Sequence, residues 1–188
     1  MEFNFNLNRI IELDEVPSTQ DAAKQLAETS GEDNVLIQAR VQTLGRGRFE
    51  RIWSSEHGGL YISLLLRPGR QVKSPADLSV KAGEAVAKTL EHYGIKTKIK
   101  LPNDVLALKN GSYKKIAGIL IETSSAQDNL NWLIVGMGVN LNNDLPKCLE
   151  AIAVKEILKQ EIDITEFRNL LVKNFAKSYL QWQMGRDI

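Results

Sequence analysis

The sequence is poor in the residues from which disulfide bonds and metal sites are built. Its 188 residues include one cysteine, Cys148, and two histidines, His57 and His92. A lone cysteine excludes an internal disulfide and a CxxC metal motif. Two histidines far apart in the sequence, without an HExxH motif, argue against a dedicated zinc site.

Long hydrophobic runs and an excess of one charge are also missing. No stretch approaches the roughly 20 apolar residues of a membrane-spanning helix, and the amino terminus lacks the charged and apolar segments of a signal peptide. The 24 Lys and Arg residues nearly balance the 23 Asp and Glu residues, which argues against the broad basic surface of a nonspecific nucleic-acid binder. We expect a cytoplasmic protein that binds neither DNA nor a membrane.

What the sequence does contain predicts an α/β protein of the α+β type, with residues 1–188 forming a single domain. Periodicity and turn residues predict strands at 10–16, 35–41, 60–68 and 96–100, a helix capped by Ser18 and closed by Gly31, and helices at 76–93, at 149–158 and after an N-cap at Thr165. Residues 98–142 are expected to form an antiparallel meander that turns at Asn110-Gly111. The sheet should be mixed and mainly antiparallel, with helices chiefly on one face.

Glycine and arginine alternate directly after the strand at 35–41, in the order Gly45, Arg46, Gly47, Arg48. Arginine presents a planar and permanently charged donor, and glycine lets the backbone approach a ligand closely. The pattern suits a phosphate or a carboxylate. A solvated surface hairpin with a few arginines explains the same residues, so other segments must decide.

Two common nucleotide-binding motifs are absent. Gly136 and Gly138, which we place in a turn after a strand, lack the third glycine of the dinucleotide fingerprint, because Leu141 occupies its position. No GxxxxGK[ST] sequence occurs either. A bound nucleotide would need another architecture.

Five segments, taken in order, resemble the catalytic domain of the biotin protein ligases, which is related in fold to lipoate ligases and class II aminoacyl-tRNA synthetases. They are GRGR at 45–48, Trp53, KxPND at 100–104, KIAGILIE at 115–122 and GxGxN at 136–140. The resemblance implies two steps. Biotin and ATP form biotinyl-5′-adenylate, and a lysine of a biotin carboxyl carrier domain then accepts the biotin.

The resemblance also implies that Lys115 and Arg48 are catalytic. Lys115 would lie between the biotin carboxylate and the α-phosphate, and Arg48 would close over the adenylate, where charge-assisted hydrogen bonds are worth about 1.5–3 kcal/mol each. Taken alone, Lys115 beside Lys114 is a solvated lysine at the end of a strand. The small residues Ala117 and Gly118 that follow favour a ligand lying against the strand.

Further site residues follow from the same resemblance. Those expected to bind biotin are Ser18, Thr19, Gln20, Gln42, Gly45, Arg46, Gly47, Arg48, Lys115 and Gly118. Those expected to bind ATP are Arg48, Trp53, Lys100, Asn103, Asp104 and Asn140, with Asp104 also a ligand of Mg²⁺. Structural roles remain open for some of them, since hydroxyls at an N-cap need no ligand, a tryptophan can belong to the core, and a PND turn can be merely structural.

The sequence departs from the family pattern in places. Glu50 replaces a glycine of the usual GRGRxGR, and a carboxylate about 6 Å from a triphosphate would cost roughly 3 kcal/mol at an effective dielectric near 20. We therefore predict that Glu50 points away from the site or pairs with Arg51. Leu101 stands where the family commonly has tryptophan. We expect neither a winged helix before residue 10 nor a β-barrel after the last helix.

Two alternative functions stay open at this stage. The first is attachment of lipoate to a protein. The second is binding of biotin without transfer, by a relative that has lost the transfer activity. A homodimer through the sheet edge or a loop is expected by analogy alone.

Overall fold

The computed structural model describes residues 6–68, 74–126, 129–146 and 148–183. Its strands are β1 Arg9–Val16, β2 Val35–Gln42, β3 Leu60–Leu66, β4 Thr97–Lys100, β5 Asp104–Lys109, β6 Ser112–Ala126 and β7 Asn129–Val139. They form one seven-stranded sheet in the order β1-β2-β3-β7-β6-β5-β4. Only β1 and β2 pair in parallel among these strands, and the other neighbours are antiparallel. The predicted mixed, mainly antiparallel sheet is therefore confirmed.

Local sequence accounts for several of these strands. All seven residues of β3 are buried, as expected for a continuous apolar run at the centre of a sheet. Asn110 and Gly111 have φ angles of 50° and 80°, and two consecutive positive φ angles produce the tight turn that joins β5 to β6. The meander predicted for residues 98–142 is confirmed as β4 to β7.

The helices are α1 Thr19–Thr29, α2 Pro75–His92, α3 Val154–Leu158 and α4 Ile164–Gln183. Ser18 caps α1 as predicted, and its hydroxyl oxygen accepts a 3.2 Å hydrogen bond from the backbone N–H of Gln20. In the described part of the chain, no helix combines the length and the hydropathy needed to cross a membrane.

Two helix predictions are wrong in detail. The helix expected over 149–158 is confined to α3, because Ala151 forms a parallel β-bridge with Lys115 instead. The N-cap of α4 is Asp163 rather than Thr165, since the Asp163 carboxylate accepts a 2.9 Å hydrogen bond from the Glu166 N–H.

The helices cover the two faces of the sheet unequally. The long helices α2 and α4 pack together on one face, over the larger core cluster. The crossover helix α1 lies on the opposite face, where Ala23 and Ala27 pack against Val35, Ile37 and Leu65. Because α1 covers only part of that face, the strands beyond it stay open to form a cavity.

Candidate active site

A cavity of about 180 Å³ lies on the α1 face of the sheet. We call it the first cavity. The start of α1 forms one end, the loop at residues 44–53 lies over it, and Lys115 of β6 stands at the other end. Three glycines, Gly118, Gly136 and Gly138, lie on its floor in β6 and β7.

The glycine floor lets two side chains lie directly on the sheet. A Cβ atom added at Gly136 would be 2.7 Å from Gln20 Oε1, and one added at Gly138 would be 2.6 Å from Trp53 Nε1. At Gly118 it would be 2.8 Å from Trp53 Cζ3. The prediction of a turn at Gly136 and Gly138 is wrong, because both residues lie within β7, where missing side chains leave room for close approach.

Neutral polar groups form the end of the cavity next to α1. Gln42 Oε1 accepts hydrogen bonds from the backbone N–H and the hydroxyl of Thr19, at 2.8 and 3.0 Å. Gln42 Nε2 donates to Ser55 Oγ at 2.7 Å. The buried Ser63 hydroxyl lies 2.8 Å from Gln20 Oε1. A set of amides and hydroxyls fixed in this way offers both donors and acceptors to an uncharged polar ligand.

The glycine–arginine loop folds back on itself above the cavity. Gly45 O accepts a 2.8 Å hydrogen bond from Trp53 N, and Gly47 N donates to Arg51 O at 2.7 Å. Gly45 is required for this closure, because a Cβ atom there would be 2.3 Å from the Trp53 carbonyl oxygen. The hairpin brings Trp53 down onto the sheet.

Two arginine side chains tie the loop to opposite walls of the cavity. Arg46 Nη1 lies 2.6 Å from Asp21 Oδ1 in α1, and Arg46 Nη2 lies 2.7 Å from Glu122 Oε1 in β6. Arg48 Nη1 donates a 3.1 Å hydrogen bond to Asn103 Oδ1 in the PND turn. The loop therefore spans the cavity from α1 to the start of β5.

Glu50 points away from the site, which agrees with the first of the two alternatives predicted for it. Its side chain is exposed and borders a neighbouring surface depression with Leu44 and Ile121 rather than the first cavity. Its φ angle is 59°, in the left-handed region that favours glycine. This backbone conformation gives a physical reason for glycine at this position in the family pattern.

Lys115 reaches the cavity because of a β-bulge. Val105 pairs with Ala117 and Leu106 pairs with Lys115, so Ile116 is an extra residue in β6. Ile116 and Ala117 both join the core under α2, and Lys115 returns to the same face as Gly118. Its Nζ atom lies 2.7 Å from Asp104 Oδ1 and 5.1 Å from the centre of a Trp53 ring.

A second cavity, of about 360 Å³, adjoins the first. Its lining includes Lys100, Asn140, Tyr113 and Leu149, and it shares Arg51, Ile52, Trp53, Asp104 and Lys115 with the first cavity. Trp53 and the Lys115–Asp104 ion pair thus stand at the boundary between the two spaces. A cation there can contact two ligands that meet end to end.

The structure brings nearly all of the sequence-predicted site residues together. Of the residues expected to bind biotin, all but Gly45 line the first cavity. Of those expected to bind ATP, Arg48, Trp53, Asn103 and Asp104 line the first cavity, and Lys100 and Asn140 line the second. Asn140 is buried and accepts a 3.2 Å hydrogen bond from Asn143.

Three residues at or beside the first cavity were not predicted from the sequence. Ser63 and Ser55 lie in strand and loop segments that carry no motif, and Glu122 stands at the end of the quoted KIAGILIE segment without a role. Both serine side chains are buried. A polar residue in the otherwise apolar β3 is the one signal that could have drawn attention to Ser63.

The fold and the site define a class of domain in which a mainly antiparallel sheet carries a cavity under a glycine–arginine loop. The model of the biotin/lipoate A/B protein ligase family matches residues 12–140, well over half of the chain. The chain belongs to this family.

Relatives of known name agree with this assignment. The chain is 37% identical over 173 residues to the bifunctional ligase/repressor BirA of Bacillus subtilis, which covers 88% of this chain and 52% of the relative. It is 35% identical to the biotin--[acetyl-CoA-carboxylase] ligase of Paracoccus denitrificans, over 80% of this chain and 63% of that protein. The chain therefore spans about half to two thirds of the length of these relatives.

A solved structure matches the fold closely. The biotin protein ligase of Aquifex aeolicus in complex with biotin and ATP superimposes with a TM-score of 0.80 and 32% sequence identity. The match covers 94% of this chain and 72% of that one.

Proposed function

We propose that this chain is an ATP-dependent biotin protein ligase that forms biotinyl-5′-adenylate and transfers biotin to a lysine of a biotin carboxyl carrier domain. The observation that carries the proposal is the position of Lys115 Nζ, beside Asp104 and Trp53, where the two cavities meet. Support also comes from the Aquifex aeolicus relative, which was solved with biotin and ATP.

Biotin is assigned to the first cavity, with its ureido ring among Thr19, Gln20 and Gln42 and its carboxylate toward Lys115. The ureido group is uncharged and has both N–H donors and a carbonyl acceptor, as the amides and hydroxyls at that end require. Trp53 supplies apolar surface for the rest of the molecule. Lipoate has an apolar disulfide ring in place of the ureido group and could not use the donors and acceptors that these side chains retain beyond their bonds to other side chains, which is unfavourable.

Mg-ATP is assigned to the second cavity as a substrate. Lys100 and Asn140 line that space, and Asp104 stands at its border. Among the residues that the structure describes, there is no group of three or more His, Cys, Asp or Glu side chains that could hold a metal ion. Asp104 alone is consistent with Mg²⁺ that arrives on the nucleotide, because this ion commonly binds one or two carboxylates together with substrate phosphates.

In the first step, a carboxylate oxygen of biotin forms a bond to the α-phosphorus, and pyrophosphate leaves with the electrons of the broken P–O bond. Two anions must approach each other, so fixed positive charge lowers the barrier. Lys115 and Arg48 supply this charge from opposite sides. In the second step, the amine of the acceptor lysine attacks the carbonyl carbon of the mixed anhydride, AMP leaves, and the amine loses a proton.

Intact-mass spectrometry of a carrier domain tests this proposal. Incubation with the protein, biotin and Mg-ATP should add one biotin to the carrier, and omission of ATP should abolish the addition. The Lys115→Ala and Arg48→Ala variants should reduce it strongly, whereas Lys114→Ala should not. An unmodified carrier in the complete mixture would contradict the proposed transfer activity.

Two further measurements separate the alternatives. Pyrophosphate release on mixing with biotin and ATP distinguishes an enzyme from a binding relative, which would show a thermal shift with biotin but release nothing. A larger thermal shift with lipoate than with biotin would favour lipoate attachment. Homodimerisation stays a prediction that sedimentation analysis can test.

A further inference from the structure

Arg46 is held between two carboxylates from different elements of the fold. Its two terminal nitrogens lie 2.6 Å from Asp21 Oδ1 and 2.7 Å from Glu122 Oε1. Partial burial lowers the pKa of this guanidinium, but the charges of Glu122 and Asp21 outweigh that effect and raise the pKa above its ordinary value. A guanidinium with both terminal nitrogens donated to carboxylates is largely neutralised toward a further anion.

Glu122 extends this contact into the polar end of the first cavity. Its second oxygen, Oε2, accepts a 2.7 Å hydrogen bond from Gln20 Nε2. Gln20 is only 3% exposed, and its Oε1 accepts from the fully buried Ser63 hydroxyl. Hydrogen-bonded side chains therefore run without a break from the glycine–arginine loop to Gln20.

We propose that Asp21 and Glu122 are positioning residues that hold the glycine–arginine loop closed through Arg46, and that Glu122 also orients the Gln20 amide toward the biotin ring. Arg46 then acts on the loop rather than on the biotin carboxylate. The role of Gln20 in this inference rests on the proposed function, whereas the role of the two carboxylates in closing the loop does not.

The geometry explains how Glu122 can both hold Arg46 and orient the Gln20 amide. A carboxylate has two oxygens that accept hydrogen bonds. In Glu122, Oε1 accepts from Arg46 and Oε2 accepts from Gln20. A flip of the Gln20 amide would place its carbonyl oxygen against the Glu122 carboxylate and break the 2.7 Å hydrogen bond, so Glu122 favours one amide orientation. Loop position and amide orientation are coupled through a single side chain.

A double-mutant cycle tests whether Arg46 acts through Glu122. Glu122→Gln and Arg46→Gln should each weaken biotin binding by about tenfold, the effect expected for one charge-assisted hydrogen bond. The loss in the double variant should be clearly smaller than the sum of the two single losses, because both substitutions remove the Arg46–Glu122 contact. Isothermal titration calorimetry with biotin alone measures all four affinities. Losses that add in the double variant would mean that Arg46 contacts the ligand itself, and would overturn the proposal.

A ligand-free measurement tests loop closure independently. Hydrogen–deuterium exchange over residues 44–53 should be faster in Glu122→Gln and in Asp21→Asn, the second variant lying at the exposed end of the network. Asp14→Asn is the matched control, because it removes the exposed Arg40–Asp14 ion pair, 3.5 Å long, from another part of the surface. Unchanged exchange in both test variants would overturn the proposal. If the wild type bound no biotin but the exchange rates changed as expected, the proposed function would fail and the closure mechanism would stand.

Discussion

The Lys115 ammonium lies 2.7 Å from the Asp104 carboxylate at the boundary between the two cavities. The two side chains are 33% and 22% exposed, and both line both cavities. Asp104 holds the ammonium in place, and under the proposed function this preorganised charge would stabilise the transition state of adenylate formation.

Replacement of Lys115 by alanine should reduce pyrophosphate release from biotin and ATP by at least about 100-fold, the loss typical for removal of one preorganised stabilising group. Lys114→Ala is the matched control. Lys114 directly precedes Lys115, is exposed, and is not among the described residues that line either cavity. Equal losses of pyrophosphate release in the two variants would show that the activity depends on the net charge of the protein rather than on the position of the Lys115 ammonium.

Replacement of Arg48 by alanine should break the 3.1 Å hydrogen bond to Asn103 that holds the loop to the PND turn. We expect slower formation of the adenylate, by roughly tenfold or more, together with faster escape of the adenylate from the protein. Chromatography of the free intermediate over time measures both. If the adenylate formed more slowly but escaped from the protein no faster, Arg48 would not be the residue that closes the site.

Gly138→Ala should displace Trp53 from the cavity floor, because the added Cβ atom would be 2.6 Å from Trp53 Nε1. Overpacking of this kind destabilises a protein by about 1–3 kcal/mol, and biotin affinity should fall with it. Urea unfolding and calorimetry measure the two effects. Gly31→Ala, where nothing lies within 4 Å of an added Cβ atom, should change neither. Normal biotin binding by Gly138→Ala would place the ligand elsewhere.

Glu50→Gly should raise the free energy of unfolding by roughly 1 kcal/mol, because the φ angle of 59° is strained for a residue with a Cβ atom. ATP affinity should change less than tenfold, since the carboxylate already points away from the site. Asn34→Gly, at a φ of 51° remote from the site, provides the comparison for stability. A rise of tenfold or more in ATP affinity would show that Glu50 does repel the nucleotide.

Alkaline pH should destabilise the fold through buried tyrosines. Burial, with a smaller contribution from Glu56, raises the pKa of Tyr61 above its ordinary value near 10.0. The folded state thus keeps a neutral phenol while the unfolded chain ionises, so this contribution to stability is complete below about pH 10 and is lost as the pH rises further. Urea midpoints between pH 8 and 11 should fall above pH 10, and fall less in Tyr61→Phe. If the urea midpoints of the wild type and Tyr61→Phe fell equally with pH, the loss of stability could not be assigned to Tyr61.

Features set by neighbouring residues could be predicted from the sequence. The Asn110-Gly111 turn follows from backbone preferences of those two residues, the buried β3 follows from a continuous apolar run, and the start of α1 follows from the Ser18 cap. The family also followed from motifs in a fixed order, which the match over residues 12–140 confirms.

Features set by pairing between distant segments could not be predicted in this way. Alternation along β6 would turn Lys115 away from Gly118, and only the bulge at Ile116, opposite β5, brings it back. The partners of Arg46 lie 25 and 76 residues away, and the glycines of β7 became a cavity floor because Trp53 folds onto them.

The sequence by itself determined the tight turn after β5, the buried strand β3 and the start of α1, because backbone preferences and hydrophobic periodicity act over a few residues. Only the tertiary structure decided the register of the strands, the face on which Lys115 stands and the carboxylates that hold Arg46. Those depend on the packing of the whole sheet, in which a shift of one residue moves a side chain to the opposite face.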